Sequence, residues 1–398
     1  MDVGSLITKL AVGRAGDTVR FRQRATDADE LAGFLSRMLA DARDQAGGTI
    51  GQICFAVPDA WLEGSEAGAR RLEEMRRLAE EKLGWTSVAW VGQLPAVAAL
   101  AAATSRDKLP AQGRFLVCDL GHQGVRVALC EVTDRVVRPV ATRSAVAGGW
   151  RDFDAAVQAQ LRADGHKQPR QWSEAARGQA PRARLVLVEE AGNPDFAETA
   201  VYRIDAGGRR HHLTARQLTD CFAATEQRLR AGIAAVLGNT GPDVAAVTGG
   251  LGWFPLAARV IADQAGVDPE IIGPEAAAHG ALLLSGGDLR LAWPDLPIVR
   301  LPVHQVVAGL LEDARLTLPW TASFADLGGD PLILDQPELI LEVGGELRTA
   351  RFPGLVPGPY RIGLRRASAG RGVLLLRADD AAVDQATHIC SLDELELA

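Results

Sequence analysis

An aspartate at the end of an apolar run is the first residue whose type and position could do chemistry. Asp119 lies in VCDLGHQGVRVAL, residues 117–129, where an apolar strand end meets a glycine-flanked turn and then a strand of alternating polarity. A carboxylate in this position could cap the turn that Gly121 and Gly124 enclose. It could also hold a metal ion or a water molecule beside a phosphate-binding hairpin. This stretch alone leaves both interpretations open.

Two more glycine turns have a related form. DVGSLITKLAV carries Asp2, Gly4 and Ser5 at its start, and VTGGLGWFP carries Gly249 and Gly250 after an apolar run. Glycine permits positive φ and close backbone approach, and exposed turn amides can bind phosphate oxygens. Two such hairpins that face each other would form a cradle of N–H groups for phosphates.

The hydrophobic periodicity predicts two α/β lobes that position these turns. Residues 1–113 follow the order strand, strand, helix, strand, helix, strand, helix, and residues 114–287 begin with another hairpin. The second lobe contains an amphipathic helix over 214–237 and ends with a helix before Gly286 and Gly287. The shared plan predicts two similar lobes that face a cleft.

The composition and the hydrophobic pattern of the sequence change after Gly287. Residues 288–398 are rich in Leu, Val, Pro and Gly and consist of short alternating runs. We therefore expect an α/β region over 1–287, followed by a separate small all-β domain that resembles a sandwich.

Composition narrows the class of protein. The 398 residues carry a net charge of −7, which argues against a broad nucleic-acid-binding surface. No run of about 18 apolar residues is present, and the N-terminus lacks the basic region of a secretory signal, so neither a membrane nor an export function is expected. The five cysteines are scattered and never form CxxC, which is typical of reduced thiols in a cytoplasmic protein.

The three glycine turns, in this order, resemble the actin, sugar-kinase and heat-shock-chaperone ATPase superfamily, and most closely the nucleotide-binding domain of DnaK-type chaperones. Three further segments match in order: VGQLPAVAAL (91–100) resembles the connecting helix, GGWRDFDAAV (148–157) the glycine and Asp-Phe-Asp segment, and GPEAAAHGA (273–281) the closing helix. The resemblance covers residues 1–287 and rests on the order of the motifs. It implies a two-lobed actin-like (ribonuclease-H-like) fold with minimal subdomain insertions.

The resemblance also implies a site for ATP or ADP with Mg²⁺ between the lobes. Asp2 and Asp119 would hold the Mg²⁺ ion, mainly through water, and position the reacting groups. The remaining assignments are Gly4, Ser5, Gly121 and Gly124 for the phosphates, Gly249 and Gly250 for the nucleoside, Trp253 for the adenine, and Glu174 and Arg177 for the ribose and the other face of the adenine.

Several of these residues have a purely structural alternative. Asp2 could be solvated near the terminus, and Trp253 could belong to a core. Glu174 and Arg177 could form an ordinary ion pair on a helix face. His122 is expected at the rim of the cleft.

The sequence departs from the family pattern at residues that matter for hydrolysis. His122 and Gln123 replace two glycines of the second hairpin. The Glu-Pro that orients the attacking water in the family is Leu94-Pro95 here, and Gln93 lies one position away. The insertion that supplies the family's lysine is reduced to a few residues, and the first strand is expected to be short. These losses predict slow hydrolysis at most.

The sequence therefore predicts a chaperone-like, cytoplasmic nucleotide-binding protein with weak or regulatory ATP hydrolysis. Its C-terminal β domain is expected to bind a protein client or partner, and neither nucleic acid nor membrane is expected as a partner. Two alternatives stay open: a pseudo-ATPase scaffold that no longer binds nucleotide, and a small-molecule kinase of the same superfamily, for which no catalytic base stands out. The sequence leaves the oligomeric state open.

Overall fold

The structure, a computed structural model, describes most of the chain. The described residues are 1–4, 7–13, 20–25, 30–46, 50–62, 66–85, 87–104, 112–145, 147–163, 200–206, 209–238, 241–252, 254–292, 297–318, 327, 330–366, 372–381 and 388–397.

The helices and strands are numbered here in chain order. The helices are α1 (Leu31–Ala46), α2 (Asp59–Leu62), α3 (Glu66–Arg77, followed by a π-helical turn over Leu78–Lys82), α4 (Gln93–Thr104), α5 (Trp150–Ala163), α6 (Ala215–Leu237), α7 (Pro255–Ala265) and α8 (Ala276–Ser285). The strands are β1 (Asp2–Val3), β2 (Ile7–Val12), β3 (Arg20–Ala25), β4 (Ile53–Val57), β5 (Val88–Gly92), β6 (Gly113–Leu120), β7 (Val125–Thr133), β8 (Val136–Ala145), β9 (Ala200–Ala206), β10 (Arg209–Thr214), β11 (Val244–Thr248), β12 (Pro269–Ile271), β13 (Arg290–Leu291), β14 (Val299–Val307), β15 (Leu310–Thr317), β16 (Leu332–Leu334), β17 (Glu338–Val343), β18 (Glu346–Arg351), β19 (Gly358–Arg366), β20 (Gly372–Ala378), β21 (His388–Ser391) and β22 (Glu396–Leu397).

The chain divides into two compact units. The first unit comprises residues 1–56 and 87–292, and the second comprises residues 57–86 and 293–398. The sequence analysis had placed residues 57–86, which lie between β4 and β5 along the chain, in the first domain.

The two larger sheets of the first unit share one strand order, and β9 and β10 form a separate two-stranded sheet. The first sheet runs β3-β2-β1-β4-β5, and the second repeats this order as β8-β7-β6-β11-β12, with β13 added beside β8. In each sheet, three strands that are consecutive along the chain, β1 to β3 or β6 to β8, form antiparallel pairs. The next strand of the sheet along the chain, β4 or β11, pairs in parallel with β1 or β6. This mixed topology is compatible with the ribonuclease-H-like fold that the family resemblance implies, and the repeated strand order agrees with the prediction of two similar lobes.

The second sheet is buried on both faces because its strands are apolar at successive positions. Leu116, Cys118 and Leu120 of β6 contribute to the core beside α5, α6 and α7. Phe115 and Val117 point the opposite way, into the core that contains α4 and α8. The period of two along β6 thus builds two cores on one strand.

The alanine-rich helix α4 fits closely against α8. Every residue of α4 from Gln93 to Ala102 is buried. A Cβ on Gly280 of α8 would overlap the carbonyl oxygen of Ala96, so the two backbones are in direct contact there. Small residues on both helices are what allows this approach.

The sequence located most of these elements and misjudged a few bounds. The helix predicted over 214–237 is α6, whose N-cap Thr214 accepts a hydrogen bond from the Gln217 amide. The segment VGSLITKLAV, residues 3–12, is predicted from the sequence as one strand of a hairpin; the structure instead has β1 and β2, which pair antiparallel. The apolar run ARLVLV, residues 183–188, predicts a further strand, and it lies outside the described residues.

The second unit contains two antiparallel sheets, of order β15-β14-β17-β18-β22 and β16-β19-β20-β21. Both sheets contribute to one core, which includes Leu341 from the first and Leu364 and Leu374 from the second, as expected for a sandwich. Helix α3 belongs to the same unit. Burial lowers the pKa of Arg365 in β19 to about 10; Arg76 of α3 adds to this effect and Glu73 opposes it.

Among the described residues, no helix is long and apolar enough to cross a membrane. All five cysteines are free and buried, which agrees with the prediction of reduced core thiols.

Gly280→Ala should destabilise the protein by about 1–3 kcal/mol, because its Cβ would force α4 and α8 apart. Urea denaturation followed by circular dichroism measures the effect. Gly241→Ala is the matched control, since nothing lies near its Cβ, and it should leave the free energy of unfolding within about 0.5 kcal/mol. Equal stability of the two variants would show that the helix contact is not as close as described.

The five thiols should react slowly with an aromatic disulfide reagent in the native protein and rapidly after unfolding. Burial raises the pKa of Cys118 far above its usual range and that of Cys221 to about 11, which suppresses the reactive thiolate. A thiol that reacts at the rate of free cysteine in native buffer would contradict the burial.

Candidate functional site

Asp2 and Asp119 both lie near the ends of central strands. Asp2 is in β1, between β2 and β4, and is 2% exposed; Asp119 is the penultimate residue of β6 and is 8% exposed. A buried carboxylate needs compensating charge or hydrogen bonds. The groups that provide them determine what the site can do.

Asp2 is neutralised from the neighbouring strand. Lys9 of β2 stands directly opposite Asp2, and its Nζ lies 3.1 Å from Asp2 Oδ2. The other carboxylate oxygen, Oδ1, accepts a hydrogen bond from the side-chain amide of Gln93 at the start of α4. Both oxygens of Asp2 are therefore engaged by the protein.

Asp119 is neutralised in the same way in the second sheet. Arg126 of β7 stands directly opposite Asp119, and its Nη2 lies 2.7 Å from Asp119 Oδ2. The two side chains are 19% and 11% exposed, so the pair is largely shielded from water. The guanidinium places N–H donors and a positive charge directly beside the carboxylate.

Gln93 joins the two ion pairs into one chain. Its Nε2 donates to Asp2 while its Oε1 accepts from Nη1 of Arg126. Gln93 is itself 4% exposed. The resulting carboxylate network, defined as Lys9, Asp2, Gln93, Arg126 and Asp119, has two positive and two negative charges and connects the two sheets. Its central amide has no titratable proton and cannot act as a general acid or base.

The turn of the second hairpin is closed by hydrogen bonds within the protein. The Gly121 amide donates to the Gly124 carbonyl at 3.0 Å. The first amides of α5, which have no acceptor inside their own helix, donate to the same turn: Trp150 N to Gly121 O at 2.9 Å and Arg151 N to His122 O at 3.0 Å. These two helix amides therefore bind the turn.

The glycines before α5 serve the same packing. A Cβ on Gly149 would overlap the amide of Gly124, and a Cβ on Gly124 would overlap the carbonyl of Ala145. Gly148 has φ of 76°, and its amide donates to Asp152 Oδ2 at 2.6 Å, which caps the helix. The segment that resembled a family motif thus docks α5 on the hairpin.

The third glycine turn lies against the end of β6. Gly249 has φ of 89°, and a Cβ there would overlap both the Leu120 carbonyl and Oδ1 of Asp119. The Leu251 amide donates to the same Leu120 carbonyl at 3.1 Å. Gly250 lies beside the ring of Trp150. Glycine is required at 249 both for its left-handed backbone and for this contact.

The structure brings together most of the predicted residues that it describes. Asp2 and Asp119 are linked through the carboxylate network, and Gly121, Gly124, Gly249 and Gly250 surround the end of β6. Gly4 follows β1, where a Cβ would crowd the Ile7 carbonyl. The predicted residues that fall outside the described part of the chain are Ser5, Glu174, Arg177 and Trp253.

The arrangement does not fit a Mg²⁺ ion at Asp2 and Asp119. Both oxygens of Asp2 and Oδ2 of Asp119 bind protein donors, and Oδ1 of Asp119 lies against Gly249. Within the described residues, no cluster of three or more His, Cys, Asp or Glu side chains could hold a metal ion. A hard cation would have to displace Lys9 or Arg126 to reach its usual oxygen ligands.

Lys9 and Arg126 are the functional residues that the sequence analysis missed. The signal was available in the hairpin of β6 and β7, because a four-residue turn over 121–124 puts residue 126 opposite residue 119. Cross-strand neighbours on one face are close enough to form an ion pair. The equivalent register of β1 and β2, which places Lys9 opposite Asp2, could not be counted in this way because the sequence does not show where β1 ends and β2 begins.

The search against protein-family models found no match to this chain, and the search of curated proteins found none either.

Arg126→Gln should destabilise the first unit by about 3 kcal/mol, because it leaves Asp119 without a cation in a shielded position. The double variant Asp119→Asn/Arg126→Gln should recover much of that loss, since it removes both charges. Urea denaturation of Arg126→Gln, Asp119→Asn and the double variant gives the coupling energy between the two side chains. Arg143→Gln, an exposed site on β8, is the matched control. Additive single effects would show that the pair is not coupled.

Proposed function

We propose that this protein is a pseudo-ATPase: an interaction scaffold built on the two-lobed, actin-like and heat-shock-chaperone-like nucleotide-binding fold. The repeated strand order and the ordered glycine turns support membership of that superfamily. The observation that carries the functional proposal is the carboxylate network. In it, Lys9 and Arg126 take the positions beside the two aspartates that a metal ion would need.

The charge balance of the network supports this proposal. Two internal cations and two carboxylates already sum to zero, so the network offers no surplus positive charge to a polyphosphate. It also offers no free carboxylate pair to a Mg²⁺ ion. Breaking a shielded ion pair to admit either ligand would cost several kcal/mol, which would be subtracted from the affinity.

The chemistry of the individual groups also disfavours hydrolysis. Gln93 occupies the start of the connecting helix, where the family has its acid one residue later, and an amide cannot accept a proton from water. A small-molecule kinase is disfavoured at this site as well, because Asp2 and Asp119 are each held by a cation and neither is an unpaired base. The network instead ties the two sheets of the first unit together.

A scaffold uses surfaces to bind partners, and the second unit provides a candidate surface. Its two antiparallel sheets retain large exposed apolar side chains, including Val306, Leu310, Leu311 and Ile333. Val306, Leu310 and Leu311 lie on the adjacent strands β14 and β15, and Ile333 lies on β16 of the other sheet. Exposed apolar groups on adjacent strands are typical of protein-interaction surfaces. A protein client or partner at the C-terminal β region and a cytoplasmic location both belong to this proposal.

The second candidate is a chaperone-like protein that binds ATP or ADP with weak or regulatory hydrolysis. It is favoured by the glycines at 121, 124, 249 and 250, which keep the backbone close to Asp119 as a phosphate cradle would. In this alternative Arg126 would have to leave Asp119 when nucleotide and Mg²⁺ bind.

Thermal unfolding with ATP or ADP, each with and without Mg²⁺, distinguishes the two candidates. The scaffold should show no Mg²⁺-dependent stabilisation, whereas a nucleotide at a hundredfold excess over its dissociation constant would stabilise by about 2.7 kcal/mol. Asp119→Asn serves as the control variant. A Mg²⁺-dependent shift in the wild type that this variant loses would overturn the scaffold and establish the nucleotide-binding candidate.

A further inference from the structure

The hairpin of β14 and β15 projects from its sheet. The two strands pair along their full length, yet β14 pairs with the next strand, β17, only through Val299 and Arg300. In the part of the chain that the structure describes, β15 forms one edge of this sheet and β22 forms the other. The side chains of β15 are exposed, apart from a partly buried Ala314. A strand of this kind presents a row of main-chain groups to any partner.

The geometry of the hairpin shows which main-chain groups face outward. The two-residue turn has φ of 51° at Ala308 and 84° at Gly309, as in a type I′ hairpin, so residues 307 and 310 form a hydrogen-bonded pair. At the other end, the Leu318 amide donates to the Val299 carbonyl at 3.0 Å. The even-numbered residues of β15 therefore bond to β14, and the odd-numbered residues direct their N–H and C=O groups away from it.

The opposite edge of the hairpin is blocked, and the β15 edge is open. Pro302 of β14 occupies an outward-facing position and has no N–H to donate. The segment Leu310–Thr317 contains no proline. One side of the projecting hairpin can thus accept a further strand.

We propose that β15 is a dimerisation edge, which pairs antiparallel with β15 of a second copy of this chain about a twofold axis at Ala314. The two five-stranded sheets would join into one continuous sheet. Such an interface is isologous, so each residue must suit the residue that symmetry places opposite it.

Charge complementarity selects this register. The odd-numbered residues of β15 face outward, so each pair across the interface joins two odd-numbered residues or two even-numbered residues. The midpoint of such a pair is a residue, so the twofold axis passes through a residue and not between two residues. Placed at Glu312, Asp313 or Arg315, it would set a charged residue against its own copy. Placed at one of the first two or last two residues of β15, it would lie near an end of the strand and leave few of its residues paired with the other copy. Placed at Ala314, it sets Asp313 opposite Arg315 of the partner subunit on both sides of the axis, and brings two small side chains together at the axis.

The charged residues keep the exposure that this pairing needs. The Asp313 side chain is 92% exposed, with Oδ1 at 2.7 Å from His304 Nδ1. The Arg315 side chain is 68% exposed, with Nη1 at 2.8 Å from Glu342. A carboxylate and a guanidinium each have further hydrogen-bonding positions, so neither contact prevents a second one. Charges on an edge strand usually discourage pairing, but in this register opposite charges meet.

Sedimentation velocity of the full chain over a range of concentrations tests the proposal. The wild type, of 42.2 kDa, should show a dimer whose fraction rises with concentration. Asp313→Arg and Arg315→Asp should each weaken the dimer at least tenfold, because each puts like charges opposite one another twice. Glu312→Arg, which changes charge equally but faces Leu316 of the partner subunit, is the matched control and should dimerise as the wild type does.

Mixing the two single variants gives the most discriminating result. A chain with Asp313→Arg opposite a chain with Arg315→Asp regains two opposite-charge pairs, so the mixture should form a heterodimer although neither variant dimerises alone. The double variant Asp313→Arg/Arg315→Asp should likewise dimerise as the wild type does. Thermal unfolding of each variant shows whether it is folded, since Arg315 also contacts Glu342.

A cysteine at the axis tests the register directly. Ala314→Cys places two thiols in a non-hydrogen-bonded pair with Cα atoms about 4.5 Å apart, within disulfide reach. It should form an intermolecular disulfide under mild oxidation. The natural cysteines should not interfere, because they are buried. Glu312→Cys, whose copies would lie about 14 Å apart, should not. A wild type that stays monomeric at about 100 μM, or equal cross-linking of the two cysteine variants, would overturn the proposal.

Discussion

The two buried carboxylates at the ends of central strands are the constraint on which the first unit depends. A fold that repeats one strand order twice brings Asp2 and Asp119 towards the same region, and two shielded negative charges require compensation. Here the compensation is internal: Lys9 and Arg126 come from the strands directly opposite, and Gln93 connects the two pairs. Because Lys9 and Arg126 are part of the chain, they neutralise the two aspartates without any bound ligand.

The fold was more predictable than the site. Apolar periodicity predicted most strands and helices of both lobes, because a helix or strand that buries one face repeats apolar residues at its own period. Asp119 could also be chosen, because an acid at the end of an apolar run is unusual, whereas Asp2 was chosen from the family resemblance. What could not be obtained without the register was the identity of their partners. Lys9 and Arg126 are ordinary surface residue types until strand pairing places them opposite the acids.

The glycines show why a motif can be located correctly and still leave its role open. Gly124 was expected at the phosphates, Gly249 at the nucleoside, and Gly149 belongs to a segment that resembles a family motif. All three lie around the end of β6. In the structure each one is also required by protein backbone that approaches it, such as the Ala145 carbonyl beside Gly124. Close approach by a ligand and close approach by another strand demand the same residue, so sequence alone cannot separate them.

Internal neutralisation also changes how such a fold could respond to a ligand. A ligand shifts a conformational equilibrium only as far as it binds one state more tightly than the other. In a site whose carboxylates await a metal ion, the ion supplies that difference. Here Arg126 and Lys9 already hold Asp119 and Asp2, so the carboxylate network is stable without a ligand. A ligand can then add little further difference in binding free energy between two states. A fixed geometry between the lobes is what the proposed scaffold would need from this fold, whereas a nucleotide-driven cycle would need a difference that a ligand can still supply.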